Sequence, residues 1–296
     1  MVSQKVLDKA GVLIEALPYI QRFYGNIIVI KYGGAAMKNK DLQRHVIQDV
    51  VLLKTVGFRP IVVHGGGSEI SKWAEKTGIE QHFHNGLRIT DESTLEIAKM
   101  VLAKVNSELV AMAERMGAHA VGISGIDGCL MTAHKQMPDG ADIGYVGEIT
   151  NVNTRIIRDM LENDFIPFVY PIAADEDGQA YNINADHAAS AIAEAMRADK
   201  LAFLSDIAGV LEDVDDPESV IAEIYADDAE KLIQDGTISG GMIPKIQNCV
   251  DAVRGGVRRV HIMDGRLPHS LLLEFFTDKG VGTAVMAPRE ERFYKD

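Results

Sequence analysis

The sequence predicts an α/β fold, a three-layer α/β/α sandwich on a mostly parallel central sheet. Three observations carry that prediction. Strand-like apolar runs alternate with helical patterns along the chain, the order that packs helices on both faces of a parallel sheet. The runs Ile27-Ile28-Val29-Ile30 and Ile61-Val62-Val63 are continuously apolar, as strands covered on both faces require. Each run ends at glycines just before a helical pattern, in Lys31-Tyr32-Gly33-Gly34 and His64-Gly65-Gly66-Gly67. Glycine there lets the backbone approach a ligand, and free N–H groups at a helix start attract anions. Lys31 ends the first run, so its charge is expected at the same spot.

Residues 3–24 read as a helix with Val6, Leu13, Leu17 and Ile20 near one face. Pro18 should kink it, because proline lacks an N–H and crowds the preceding turn. Gly25 is a stop before the first strand. A helix over 39–56 follows, then Arg59-Pro60 leads into the strand ending at His64, and a helix covers 68–76. His82 to Thr90 reads as a hairpin, since Asn85-Gly86 favours a tight primed turn. Thr90 or Asp91 caps a long helix to about Met116. Strands are expected at 118–124 and 128–134, with a loop at Met137-Pro138-Asp139-Gly140 and a helix at 153–163. Ile166 to Pro171 reads as an edge-like or irregular strand because of its prolines. The acidic turn Asp175-Glu176-Asp177-Gly178 has the wrong spacing for a calcium loop. A short strand to Asn182 and an alanine-rich helix at 185–198 come next. In the last third, a strand at 200–206, a helix from Ser239 to Arg254, strands at 257–263 and 282–286, and a helix at 268–276 complete the chain.

The chain has 296 residues, enough for one large α/β domain or two lobes, and a formal net charge of −13. That charge disfavours nucleic acid and anionic membrane surfaces as partners. An anionic substrate must be held by a local cationic site against the overall field. Cys129 and Cys249, without CxxC spacing, argue against a disulfide framework and fit a reducing cytosol. No stretch reaches membrane-spanning length, and the N-terminal region, carrying Asp8 and Glu15, lacks a signal-peptide core. A cytoplasmic protein is therefore expected. His82 and His84 alternate on a short strand without forming a metal site.

Neither GxxxxGK[ST] nor GxGxxG occurs, so a phosphate site must be of another type. The ordered set Lys31-Tyr-Gly-Gly, His64-Gly-Gly-Gly, Asn85-Gly-Leu-Arg88, Asn182-Ile-Asn-Ala-Asp186, Leu204-Ser-Asp206 and Gly240-Gly-Met-Ile-Pro-Lys245 resembles the amino-acid kinase family over essentially the whole chain. The Asn-Gly-Leu-Arg and Asn-x-Asn-Ala-Asp words favour its acetylglutamate branch. The resemblance implies transfer of the ATP γ-phosphoryl group to the side-chain carboxylate of N-acetyl-L-glutamate. A carboxylate with a pKa of about 4 is already ionised, so no general base is needed. The obstacle is charge, which cations and backbone donors relieve.

By that resemblance, Lys31 and Lys245 flank the transferring group and Asp186 orients both. Gly66, Gly67, Arg88 and Asn182 would hold acetylglutamate. Gly33, Gly34, Ser205, Asp206, Gly209, Ser239, Gly240 and Gly241 would line ATP. Mg²⁺ is expected on the nucleotide phosphates, with no protein-borne metal site. The implied division is a kinked N-terminal helix at 1–25, an acetylglutamate lobe at 26–197 and an ATP lobe at 198–296. Residues 3–24 also resemble the extra helix of family members that L-arginine inhibits and that assemble as hexamers. Lys200, Glu274 and Gly282 would then serve an arginine site, and a homo-oligomer, dimer or hexamer, is expected. Some members bind a PII-type signalling protein. The alternatives are a kinase for aspartate, glutamate or an aminoadipate derivative, or a non-catalytic arginine sensor.

Overall fold

The computed structural model describes residues 3–37, 39–213, 215–216 and 218–287. The outer ends of the expected first and last segments, 1–2 and 288–296, lie outside the described residues.

The chain opens with α1 (Gln4–Phe23), which contains Pro18 and is followed by Gly25 at φ +81°. Then come β1 (Ile27–Tyr32), α2 (Lys40–Thr55), β2 (Arg59–His64) and α3 (Gly67–Thr77). Asn39 starts α2 by accepting from the N–H groups of Asp41 and Leu42, at 2.8 and 3.2 Å. The hairpin β3 (Phe83–His84) and β4 (Leu87–Arg88) turns at Asn85 and Gly86, both at positive φ, as the primed turn requires. Asp91 caps α4 (Glu92–Arg115) by accepting from Thr94 N–H at 2.7 Å. Next are β5 (Ala120–Ser124), β6 (Met131–Lys135), β7 (Val146–Val152), α5 (Arg155–Glu162), β8 (Ile166–Tyr170), β9 (Ile172–Ala174) and β10 (Ala180–Ile183). The rest is α6 (Ala185–Met196), β11 (Lys200–Ser205), β12 (Glu223–Tyr225), α7 (Ala229–Gln234), α8 (Met242–Arg254), β13 (Arg259–Asp264), α9 (Ser270–Phe275) and β14 (Thr283–Met286).

Eight strands form one sheet in the order β12-β14-β13-β11-β1-β2-β8-β5. All its pairings are parallel except β13 with β14. Both faces are covered. Val29, Ile61, Val63 and Leu201 belong to a core cluster shared with α5, α6 and α8. Their neighbours Ile28, Ile30, Val62 and Ala202 belong to another, shared with α2, α4 and α9. Alternation of side chains along a strand explains why these runs are apolar at every position.

Two expectations change. The strand with Pro167 is not an edge strand: β8 lies between β2 and β5. Its pairing with β2 begins only at Phe168, so the residue lacking an N–H precedes that ladder. Strands β6, β7, β9 and β10 also close into a small barrel beside the main sheet, which the sequence reading did not foresee. Among the described residues, no helix is long and apolar enough to cross a membrane.

Candidate active site

β1 lies where the chain order of the sheet reverses, with β2 on one side and β11 on the other. Such a point opens a crevice outside the carboxyl ends of the strands. Lys31 sits there, in register with Val63 and Phe203. Its Nζ lies 2.8 Å from Asp186 Oδ1, and its side chain is 15% exposed. Asp186 occupies the first turn of α6, where Asn184 accepts from the Asp186 and His187 N–H groups. A carboxylate there suits the positive end of the helix. Gly33 makes room for the ammonium, since a Cβ at that position would stand 3.0 Å from Lys31 Nζ. Gly34 adopts φ +67° and begins a short helical turn.

A cavity of about 180 Å³ opens beside this pair. Gly66, Gly67, Arg88 and Asn182, the four residues expected to hold the acceptor, all line it, together with Leu102 and Ala185. Arg88 Nη2 donates to Gly67 O at 2.8 Å and to Ser71 Oγ at 3.0 Å, and Nη1 donates to Gln81 Oε1. Its guanidinium also lies over the Phe83 ring, 4.8 Å from the centroid. Burial pulls its pKa below the usual arginine value. Asn182 donates to Thr90 Oγ1 at 3.4 Å. The cavity thus joins the Arg88 cation, the Asn182 and Asn184 side chains and the glycine backbone of residues 65–67, a set able to hold a small molecule with a carboxylate.

A larger cavity, about 660 Å³, is lined by Asp206, Gly209, Ser239, Gly241 and Lys245 together with Arg266. That volume suits a drug-sized or nucleotide-sized ligand. At Gly209 a Cβ would come within 2.6 Å of Thr283 Oγ1, so the loop needs glycine. Gly240 adopts φ +56° in the turn that starts α8. Ser205 stands apart: its buried hydroxyl accepts from Ile207 N–H at 3.2 Å and shapes the loop instead of facing the cavity. Arg266 pairs with Asp264 at 2.8 Å at this rim, a cation the sequence reading missed.

α6, which reaches the first cavity at Ala185, packs on α8, which lines the second at Met242 and Lys245, and Ser190 Oγ donates to Asn248 Oδ1 at 3.3 Å between the two helices. Asp186 and Lys245 each lie about one turn before that contact on their own helix. Both are felt by the Cys249 thiol: burial and Asp186 push its pKa up, and Lys245 pulls it down.

A third cavity, about 60 Å³, contains Lys200 and Glu274 with Phe23, Arg259, His261 and Phe275. Glu274 is not a solvated helix acid. Its Oε1 accepts from His261 Nδ1 at 2.6 Å, and its Oε2 accepts from the N–H groups of Val281 and Gly282 at 2.8 and 2.9 Å. Burial opposes its charge, but these bonds hold its pKa below the usual range. Burial and the Lys200 charge lower the His261 pKa against the pull of Glu274, so the ring is neutral. Lys200 Nζ lies between the Phe23 and Phe275 rings, 4.6 and 5.0 Å from their centroids. Phe23 comes from α1, which thereby forms one wall.

The sequence pattern of the amino acid kinase family matches residues 26–264. Acetylglutamate kinase of Heliobacterium modesticaldum is 52% identical over 292 residues, 95% of this chain and 99% of that protein. Acetylglutamate kinase of Caldanaerobacter subterraneus is 53% identical over 278 residues, 94% and 93% of the two chains. Among solved structures, N-acetylglutamate synthase of Neisseria gonorrhoeae with coenzyme A and N-acetyl-glutamate superposes with a TM-score of 0.82 at 28% identity. The match covers 96% of this chain but only 64% of the synthase. Carbamate kinase of Giardia lamblia shares the fold, with a TM-score of 0.66 at 15% identity, over 89% of this chain and 99% of its own.

Proposed function

The chain belongs to the amino acid kinase family, and on that premise we infer that it transfers the terminal phosphoryl group of ATP to the side-chain carboxylate of N-acetyl-L-glutamate, a step of arginine biosynthesis. The observation that carries the reading to this chain's own residues is the Lys31–Asp186 pair, set beside the Arg88–Asn182 cavity. In our reading Arg88 and Asn182 fix acetylglutamate, while the N–H groups of Gly66 and Gly67 face the transferring group. Lys31 neutralises charge from the acceptor side and Lys245 from the nucleotide side, and Asp186 fixes the Lys31 ammonium. Asp206, Gly209, Ser239 and Gly241 suit ATP, and Mg²⁺ would accompany its phosphates. Gly33, Gly34, Ser205 and Gly240 then shape the loops around the phosphates. Residues 26–197 would act as the acceptor lobe, 198–296 as the nucleotide lobe and 1–25 as an assembly helix, in a homo-oligomer in the cytoplasm.

The test is ATP-dependent ADP release, with hydroxylamine trapping of the acyl phosphate, across N-acetylglutamate, aspartate, glutamate and an aminoadipate derivative. N-acetylglutamate should be turned over best. Preference for another acid would move the chain to a different branch, and no turnover would leave the sensor reading.

Inhibition by L-arginine is a second proposal, favoured by the third cavity. There the buried carboxylate of Glu274 is bonded to His261 Nδ1, and the far ring nitrogen, His261 Nε2, has no hydrogen-bond partner. The pair suits a guanidinium, and Lys200 suits the inhibitor's carboxylate. L-arginine should lower turnover at millimolar concentration; unchanged rates would remove the proposal.

A further inference from the structure

His64, the last residue of β2, is fully buried and takes no part in the reading above. Its surroundings fix its proton. The Asn106 side chain, buried on α4, donates one N–H to Phe168 O at 2.9 Å and another to His64 Nε2 at 3.0 Å. A backbone carbonyl only accepts, so the amide nitrogen of Asn106 must face both partners. His64 Nε2 is therefore the accepting nitrogen, and the ring proton sits on Nδ1. Nδ1 lies 2.8 Å from Gly65 O and donates to it.

That bond sets a peptide plane. Gly65 N–H already donates to Tyr32 O at 2.9 Å, and Gly66 O accepts from Ile70 N–H at 2.9 Å in the first turn of α3. With Gly65 O drawn to His64, the other edge of the same trans peptide, the Gly66 N–H, must point the opposite way. Gly66 and Gly67 line the acceptor cavity. We propose that His64 is a positioning residue: held in its Nδ1–H form by Asn106, it turns the Gly65–Gly66 peptide so that the Gly66 N–H is presented to the anion in that cavity. If the peptide flipped, a carbonyl oxygen would face the same anion and repel it. Burial lowers the His64 pKa to about 4, so the relay stays neutral through the working range. The identity of the anion, a carboxylate receiving a phosphoryl group, rests on the proposed function; the relay itself does not.

The test pairs kinetics with spectroscopy. His64→Phe keeps a ring of similar size but removes the donor. It should lower kcat about a hundredfold, the usual effect of losing one preorganised donor, while KM for ATP is unchanged. His64→Asn, whose amide places an N–H near the Nδ1 site, should recover about tenfold of that loss. A folded His64→Phe enzyme with the parent kcat overturns the proposal. Should that variant not fold, nitrogen NMR of the unsubstituted protein decides. His64 must show the neutral Nδ1–H tautomer without titrating between about pH 5.5 and pH 8. An Nε2–H tautomer, or titration in that range, overturns it. Failure of the parent enzyme to use N-acetylglutamate would sink the functional reading and leave the tautomer test standing.

Discussion

Lys31 Nζ and Asp186 Oδ1 stand 2.8 Å apart, and the pair ties the end of β1 to the first turn of α6. The ammonium is thereby fixed in place before any substrate arrives. Preorganised charge is effective because it costs no rearrangement when the transition state forms. Asp186→Asn keeps the shape but removes the anion that holds Lys31. We predict a loss of about a hundredfold in kcat with an unchanged fold by circular dichroism. A variant with the parent kcat would show that Asp186 merely caps its helix.

Lys245 lies in the first turn of α8 and lines the larger cavity. Among the described residues it makes no ion pair, so its removal should cost little stability. Lys245→Ala is expected to reduce kcat at saturating ATP by about a hundredfold or more, with the melting temperature nearly unchanged. Undiminished turnover would exclude Lys245 from charge stabilisation.

The main sheet was legible because its strands are buried on both faces, so Ile28 to Ile30 and Ile61 to Val63 are apolar throughout. The small barrel was not. In β7, Glu148 and Asn151 are exposed, and β9 has only three residues, so neither shows a clear period. Arg88 and Asn182 were legible as parts of ordered sequence words, and the structure brings both to one cavity. His64 was visible in its word but silent in role, because its partner Asn106 lies 42 residues away on a helix. Asn106 itself carries no sequence signal: an amide within an apolar helical pattern reads as an ordinary interruption. Only the fold shows that it meets a histidine.

Arg88 uses both terminal nitrogens, with Nη2 on Gly67 O and Ser71 Oγ and Nη1 on Gln81 Oε1. Lysine has no planar fork to repeat that pattern. Arg88→Lys should raise KM for N-acetylglutamate about tenfold or more, with KM for ATP unaffected. An equal rise in both constants would point to general damage to the lobe instead of lost substrate contact.

Glu274 is the carboxylate of the third cavity, and its charge is held by three hydrogen bonds. Glu274→Gln removes that charge at nearly constant volume. If arginine binds there, the concentration needed for half-inhibition should rise about tenfold or more. An unshifted inhibition curve would place any arginine site elsewhere.

Asp49 supplies a pH prediction with a definite sign. It is buried on α2, and its Oδ1 lies 2.6 Å from His269 Nδ1 at the start of α9. The backbone N–H groups of Leu271 and Leu272 also favour its charge, and the His45 ring lies 4.6 Å from the His269 ring, tilted 44° to it. Burial outweighs these partners and raises the Asp49 pKa to about 6. The native protein therefore holds this proton more tightly than the unfolded chain. The resulting stability is fully present below the ordinary carboxylate pKa of about 4 and is lost as pH rises through about 6. A shift of that size corresponds to about 3 kcal/mol. Asp49→Asn cannot titrate, so relative to the parent its unfolding free energy should rise as pH goes from about 4 to about 7. Urea melts of both proteins across that range measure the difference. Parallel curves would mean that Asp49 keeps an ordinary pKa and that His269 fully offsets the cost of burying its charge.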